Sequence, residues 1–305
     1  MFDELIPFTF EEFSVRGTLV RLSGAWKKVL EGGEASGDSS GVISRLLGEM
    51  LVSGLLLSST LKLKGTLLIQ ILGEGPVSLL LVEIFVTEQG GSLGFRSMVK
   101  CNKEEVAALK TPSMANLVGN GTLSITLDPK DGSQSYQSIV PVSRDTVGEI
   151  FESYMHQSEQ IRTRLLLCTS EHQVSGLLLQ EMPSDRASKK SMEMVWDRLG
   201  TQAEVCMVTS HNQISANLVL QSLFPEDLLR VYDSREIAFT CTCSRDKIGA
   251  LLITLGKEDS EAILKEEGSI KVSCEFCNVK YEFDAIDTAD LFLHSGISKT
   301  SEWEN

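Results

Sequence analysis

The sequence is short of positive charge. Its 305 residues hold 28 Lys and Arg against 42 Asp and Glu, a formal net charge of −14 at pH 7. A protein that binds nucleic acid clusters Lys and Arg to neutralise phosphates, so the balance argues against a nucleic-acid partner. A membrane signal is also lacking. The opening residues, MFDELIPFTF, carry no basic n-region and no apolar core of signal-peptide length. The most apolar stretch, 41–60, is interrupted by Arg45 and Glu49, and the charge-free run that remains is too short to span a bilayer. The expectation is a cytoplasmic protein with no membrane partner. Phosphate-loop chemistry is missing too: Gly73-Glu74-Gly75-Pro76 has neither a third glycine nor a following Lys-Ser/Thr, and reads as a turn that ends a strand. No nucleophile–base constellation stands out, so the chain is not expected to be an enzyme.

What is present is an ordinary globular composition, 42% hydrophobic and 23% charged, in a chain long enough for about two domains. Residues 9–23 read as a strand, and 31–41 as a turn-rich loop. Ile43, Leu46, Leu47, Met50 and Leu51 recur at helical spacing, which predicts a helix over 41–58. Apolar runs at 65–72 and 79–86, and alternation through Leu123, Ile125 and Leu127 followed by Asp131-Gly132, predict antiparallel hairpins. Thr146-x-x-Glu149 is a capping box ahead of a helical face, and 162–168 and 174–179 read as closing strands. Residues 1–180 are therefore expected to form an α+β domain of antiparallel sheets with packed helices. Residues 181–235 read as a helical linker of short, marginal helices, one around Trp196, one around Leu218 and Leu223, and a third opened by Pro225 and carrying Leu228, Leu229 and Tyr232. Residues 236–305 hold 14 acids and 7 Lys or Arg, half of the chain's excess negative charge, and form a small C-terminal module whose tail, 295–305, is expected to be disordered.

That module contains Cys241-Thr242-Cys243 and, after residues 244–273, Cys274-Glu275-Phe276-Cys277, four of the seven cysteines. In a reducing compartment, tight cysteine pairs are metal ligands or redox groups rather than structural disulfides. Four thiolates close a tetrahedral zinc site without another side chain, and His156, His172, His211 and His294 are not spaced to compete. One Zn²⁺ per chain is expected. Four thiolates on it leave a net charge of −2, which Arg245, Lys247, Lys271 and Lys280 are placed to offset or simply to surround as solvated charge. Two roles remain open at this point: a closed structural centre, or a switch that an oxidant opens by converting thiolates to disulfides. Because the module has little core of its own, metal loss would unfold it and reach the marginal linker. The lone cysteines Cys101, Cys168 and Cys206 read as inert thiols, with Cys206 placed to react if the linker opens.

The two cysteine motifs, with FTCTCSRDKI and YEFDAIDTADL around them and FSVRGTLV, the GEGP turn, LVGNG and SEQIRTRLLL upstream, strongly resemble the redox-regulated 33-kDa heat-shock chaperone family, and the resemblance covers nearly the whole chain. It implies an ATP-independent holdase, inactive when reduced and zinc-bound. Oxidation would pair Cys241 with Cys243 and Cys274 with Cys277, release zinc and unfold the linker. The active form, a homodimer, would bind unfolding or oxidatively damaged client proteins. The resemblance carries over no client surface by motif; the apolar faces of the linker, at Met192, Trp196, Leu218, Leu223 and Leu229, and the body surface they cover are expected to form it. The alternative is a zinc-stabilised scaffold without switching.

Overall fold

A computed structural model describes residues 2–32, 41–61, 63, 65–87, 91–183, 189–207 and 215–297, without the side chains of 189–192, 203–207 and 294–297. The chain falls into two compact units, Met1–Thr240 and Cys241–Asn305.

In the first unit, β1 (Asp3–Phe10), β2 (Val15–Leu22), α1 (Gly24–Glu31) and α2 (Val42–Thr60) are followed by β3 (Gly65–Leu72), β4 (Val77–Val86) and β5 (Leu93–Cys101). Two short helices, α3 (Lys103–Ala108) and α4 (Met114–Val118), lead to β6 (Thr122–Pro129) and β7 (Tyr136–Pro141). Then come α5 (Val147–Ser158), β8 (Thr163–Thr169), β9 (Val174–Glu181), α6 (Lys189–Met207), α7 (Ala216–Leu223), β10 (Leu229–Val231) and β11 (Arg235–Phe239). The strands join in the order β7-β6-β3-β4-β5-β11-β1-β2-β9-β8, with β10 added beside β1. All pairings are antiparallel except β11 on β5. The expected α+β class and antiparallel hairpins are present, joined in one sheet.

Helix α2 packs against β3, β4 and β5 and also against β1, β2, β8 and β9, so the sheet wraps around it. This explains its composition: from Met50 to Ser58 every residue is buried, and a helix apolar on all sides is a core helix. By length and composition Val42–Thr60 is apolar enough to cross a membrane, contrary to the expectation from Arg45 and Glu49, but 13 of its 19 residues are buried inside the protein. The two charges sit near its start and face each other at 3.9 Å. Close packing relies on missing side chains. A Cβ on Gly176 in β9 would lie 2.4 Å from Val52 Cγ1 of α2.

The strands at the other end of the sheet are apolar on both faces. In β1, Leu5 joins the core around α2, whereas Ile6, Phe8 and Phe10 join a second core; β2 and β9 divide their residues the same way. The second core is closed by α6 and α7 through Trp196, Leu199, Val219, Leu220 and Leu223, with Phe224 edge-on to Phe10 at 5.0 Å. A fork of two hydrogen bonds from Arg198 to Asp227, at 2.9 and 2.7 Å, ties α6 to the turn after α7.

Several local expectations need correction. Residues 9–23 are not one strand but the end of β1, a turn and β2, because apolar residues on both faces erase the alternation that marks a strand's limits. The third linker helix is instead strand β10, whose Leu229, Arg230 and Val231 pair with Phe10, Thr9 and Phe8; the sheet edge of β1 overrides the Pro-Glu-Asp start signal. Helices α1, α3 and α4 were not anticipated.

The second unit has α8 (Arg245–Leu255), α9 (Lys257–Glu267), β12 (Ile270–Ser273), β13 (Lys280–Phe283) and α10 (Ala285–Ile297). Gly268 ends α9 in the left-handed conformation, φ 77°. Residues 298–305, most of the expected disordered tail, lie outside the described residues. The unit's buried apolar core is Leu252, Ile270 and Phe283.

Replacing Gly176 by Ala forces Val52 and α2 aside, and overpacking of this kind costs about 1–3 kcal/mol. The expected result is a lower denaturant midpoint for the first unit. An unchanged midpoint would show that β9 and α2 are not packed as closely as described.

Candidate metal centre

The two cysteine motifs lie on separate turns that the fold brings together. Cys241 and Cys243 precede α8, whose cap Ser244 accepts the Lys247 amide hydrogen bond. Cys274 and Cys277 sit between β12 and β13. There the Asn278 amide donates to the Cys274 carbonyl at 2.7 Å and the Cys274 amide to the Val279 carbonyl at 2.9 Å. Asn278 takes a positive φ of 58°, a conformation that asparagine tolerates better than most residues. The hairpin register, Ser273 opposite Lys280 and Ile270 opposite Phe283, fixes the knuckle at the hairpin tip.

All four sulfur atoms lie within 4.8 Å of one another, and among the described residues this is the only such cluster of potential ligands. Cys241 Sγ approaches Cys274 Sγ at 3.6 Å and Cys243 Sγ approaches Cys277 Sγ at 3.4 Å. Sulfurs at the corners of a tetrahedron around zinc, each about 2.3 Å from it, stand about 3.8 Å apart. The donor set therefore fits a tetrahedral metal ion.

The sulfurs also perturb one another. Burial pushes the Cys241 thiol well up. Burial is the largest influence on Cys243 too, but hydrogen bonds from Tyr281 and the neighbouring cysteines overcome it and bring that thiol down to about 7. The bond to Cys243 pushes the Tyr281 hydroxyl up to about 12, and burial raises Cys277. One thiol is thus brought down beside two, Cys241 and Cys277, that burial pushes up, as expected where like charges would compete for the same space. A bound dication removes that conflict by favouring all four thiolates.

The basic residues around the motifs are tied into the unit's frame. Lys247 Nζ donates to the Thr242 carbonyl at 2.7 Å. Arg245 donates to the Glu282 carbonyl at 2.8 Å, pairs with Asp287 at 2.7 Å and lies over the Phe283 ring. Asp284 and Asp287 cap α10 reciprocally, each carboxylate accepting the other's amide, and the Asp-x-x-Asp spacing is the sequence signal of that cap. Lys271 faces Glu282 at 3.8 Å. Tyr281 reads from the sequence as a strand residue; only the fold shows that its hydroxyl donates to Cys243 Sγ and belongs to the site.

Elsewhere, the GEGP turn holds no phosphate cradle: its Glu74 and Gly75 amides both donate to the Val118 carbonyl. Cys101 and Cys168 are half-buried thiols in the sheet, and burial raises Cys168. Of the linker residues singled out, Trp196 and Leu223 are buried in the second core, Leu229 packs beside it and Leu218 is exposed. The side chains of Met192 and Cys206 lie outside the described residues, as does His211.

Fold and site together define an α+β protein with a separate cysteine-rich unit able to hold a metal ion. The family model described as Hsp33 protein matches residues 3–284. The chain is 37% identical over 293 residues to the 33 kDa chaperonin of Methylobacillus flagellatus, covering 95% of this chain and 94% of that one. It is 35% identical over 290 residues to the 33 kDa chaperonin of Nitrosococcus oceani, with the same coverage. The crystal structure of the 33 kDa chaperonin of Thermotoga maritima shares the fold, with a TM-score of 0.75 at 20% identity over 97% of this chain and all of that one. The chain belongs to the Hsp33 family.

Cobalt(II) added to the reduced protein is expected to give the intense visible bands of a tetrahedral thiolate site at one ion per chain, and Cys274→Ser to diminish them. Absence of those bands in fully reduced protein would contradict the assignment of the four sulfurs as a metal site.

Proposed function

We propose that this chain is a redox-regulated, ATP-independent holdase chaperone. In the reduced form one zinc ion is held by Cys241, Cys243, Cys274 and Cys277. The observation that carries the proposal is the convergence of four sulfurs in a unit whose fully buried apolar core, among the described residues, is Leu252, Ile270 and Phe283, with six partly buried apolar side chains packed on it. Structural zinc contributes about 10–16 kcal/mol of apparent binding free energy, and bound there it keeps all four sulfurs as thiolates, the reactive form of cysteine.

Oxidation withdraws the ligands. In each pair one thiolate attacks a peroxide oxygen, an S–O bond forms, the O–O bond breaks and hydroxide leaves. The second thiolate then displaces a second hydroxide to form the disulfide. Two electrons pass from each cysteine pair to each peroxide. The resemblance assigns the pairs as Cys241–Cys243 and Cys274–Cys277. Sulfur approaches of 3.6 and 3.4 Å instead join the two motifs, so pairing is a discriminating measurement.

Loss of the metal leaves a unit too small to hold its fold. Residues 181–235 form the linker of this proposal, between a body at 1–180 and a zinc module at 236–305. The strand β11 ends at Phe239, two residues before Cys241, so ordering of the first cysteine pair and pairing of β11 share a covalent connection. Unfolding of α6 and α7 would uncover Ile6, Phe8, Phe10, Leu19, Leu177 and Leu179, together with the helices' own Trp196 and Leu223. A contiguous apolar surface of that kind is what a binder of unfolded proteins presents. The clients are unfolding or oxidatively damaged proteins and the active form is a homodimer. The reduced cytoplasm is the setting; neither nucleic acid, nor membrane, nor catalysis enters.

Zinc release and suppression of client aggregation, measured side by side before and after peroxide at raised temperature, test this reading. Both are expected to rise together, with mass-spectrometric mapping showing Cys241–Cys243 and Cys274–Cys277 disulfides. Zinc retained with no gain of activity would establish a scaffold instead, and Cys241–Cys274 with Cys243–Cys277 linkages would overturn the pairing. In the linker, Asp227→Ala removes charge-assisted hydrogen bonds worth about 1.5–3 kcal/mol each when fully formed, discounted for the one-third exposure of Arg198. Client binding is then expected to begin at a lower temperature; an unchanged onset would show that the fork does not hold the linker.

A further inference from the structure

Cys243 Sγ accepts a hydrogen bond from the hydroxyl of Tyr281 at 3.1 Å. Cys241 Sγ accepts from the Cys243 amide, and Cys277 Sγ from the Val279 amide. Those amides belong to the backbone turns that carry the ligands. The phenol comes from outside both motifs and is placed by the β12–β13 register, in which Tyr281 pairs with Val272. Its ring packs against the small core of the unit, so the hydroxyl is delivered to the sulfur by a braced strand rather than by a free side chain.

We infer that Tyr281 is a positioning residue that restrains the reaction of Cys243 with oxidants and alkylating reagents. This inference rests on the thiolate centre proposed above. Attack on peroxide requires a sulfur lone pair: the S–O bond forms from it, the O–O bond breaks and hydroxide leaves carrying the charge. A hydrogen bond to the thiolate stabilises the charge where it starts and loses strength as the charge moves to oxygen. Such bonds to a charged acceptor are stronger than neutral ones, and groups that hydrogen-bond metal ligands tune the reactivity of the centre. The ground state is therefore favoured over the transition state and attack is slowed. The hydroxyl also holds the sulfur's orientation, so the restraint operates while the metal is bound.

The test is Tyr281→Phe in the full chain, loaded with zinc or with cobalt. The variant is expected to keep one metal per chain, to shift the sulfur-to-cobalt charge-transfer band, and to react with iodoacetamide and release zinc to peroxide roughly three- to tenfold faster. Val272→Ala, which loosens the opposing packing but keeps the phenol, is expected to change neither band nor rate. Equal rates and an unmoved band in Tyr281→Phe would overturn the inference, as would equal acceleration in Val272→Ala. If Tyr281→Phe fails to hold metal, 3-fluorotyrosine at position 281 decides the matter: a stronger donor of similar shape is expected to slow alkylation, and an unchanged rate overturns the inference. If the unaltered chain keeps its zinc under peroxide, the redox reading falls, while alkylation and the cobalt band still decide the role of Tyr281.

Discussion

Four cysteine sulfurs within 4.8 Å of one another impose a condition that the polypeptide does not satisfy alone. As thiolates they repel; as thiols they give up the charge that makes them strong ligands. The directions of their shifts show the conflict, with Cys241 and Cys277 held up by burial and Cys243 brought down by its donors. A tetrahedral dication resolves it. The rest of the second unit is arranged to keep the sulfurs there: a capped helix start behind one pair, a hairpin tip with a left-handed Asn278 behind the other, and basic side chains anchored to carbonyls and carboxylates around them.

The first unit has the opposite character. Its principal core is a large apolar cluster closed on α2. The second core, on the outer face of β1, β2, β8 and β9, depends on two helices for its cover. Breaking the Arg198–Asp227 fork or displacing Phe224 would expose strands that are apolar by sequence on that face. The protein thus joins a core closed on α2, an apolar face covered by α6 and α7, and a unit with four sulfurs able to hold a metal ion. On the proposed reading, chemistry at the third governs exposure at the second.

The sequence made the metal centre legible because ligand identity and spacing are local: Cys241, Cys243, Cys274 and Cys277 needed no tertiary information to be grouped. Strands β3, β4 and β6 were legible for a similar reason, since clear apolar runs ended in Gly-rich or Asp-Gly turns. The β1–β2 hairpin was not, because strands buried on both faces lose the period of two that separates strand from turn. Strand β10 was misread as a helix because its local signals favour a helix start, while its hydrogen-bond partner, β1, lies more than two hundred residues away. Tyr281 escaped for a related reason. A tyrosine in an alternating strand looks like packing until the hairpin register and the first cysteine motif are placed in space.

Hydrogen–deuterium exchange on the full chain, reduced and zinc-loaded against peroxide-treated, tests the central claim most directly. Loss of protection is predicted in the second unit around Leu252 and Ile270 and, together with it, in α6 and α7 around Leu199 and Leu220. Protection in β3, β4 and β6 is predicted to persist. Zinc loss accompanied by unfolding of the second unit alone, with α6 and α7 still protected, would contradict the account.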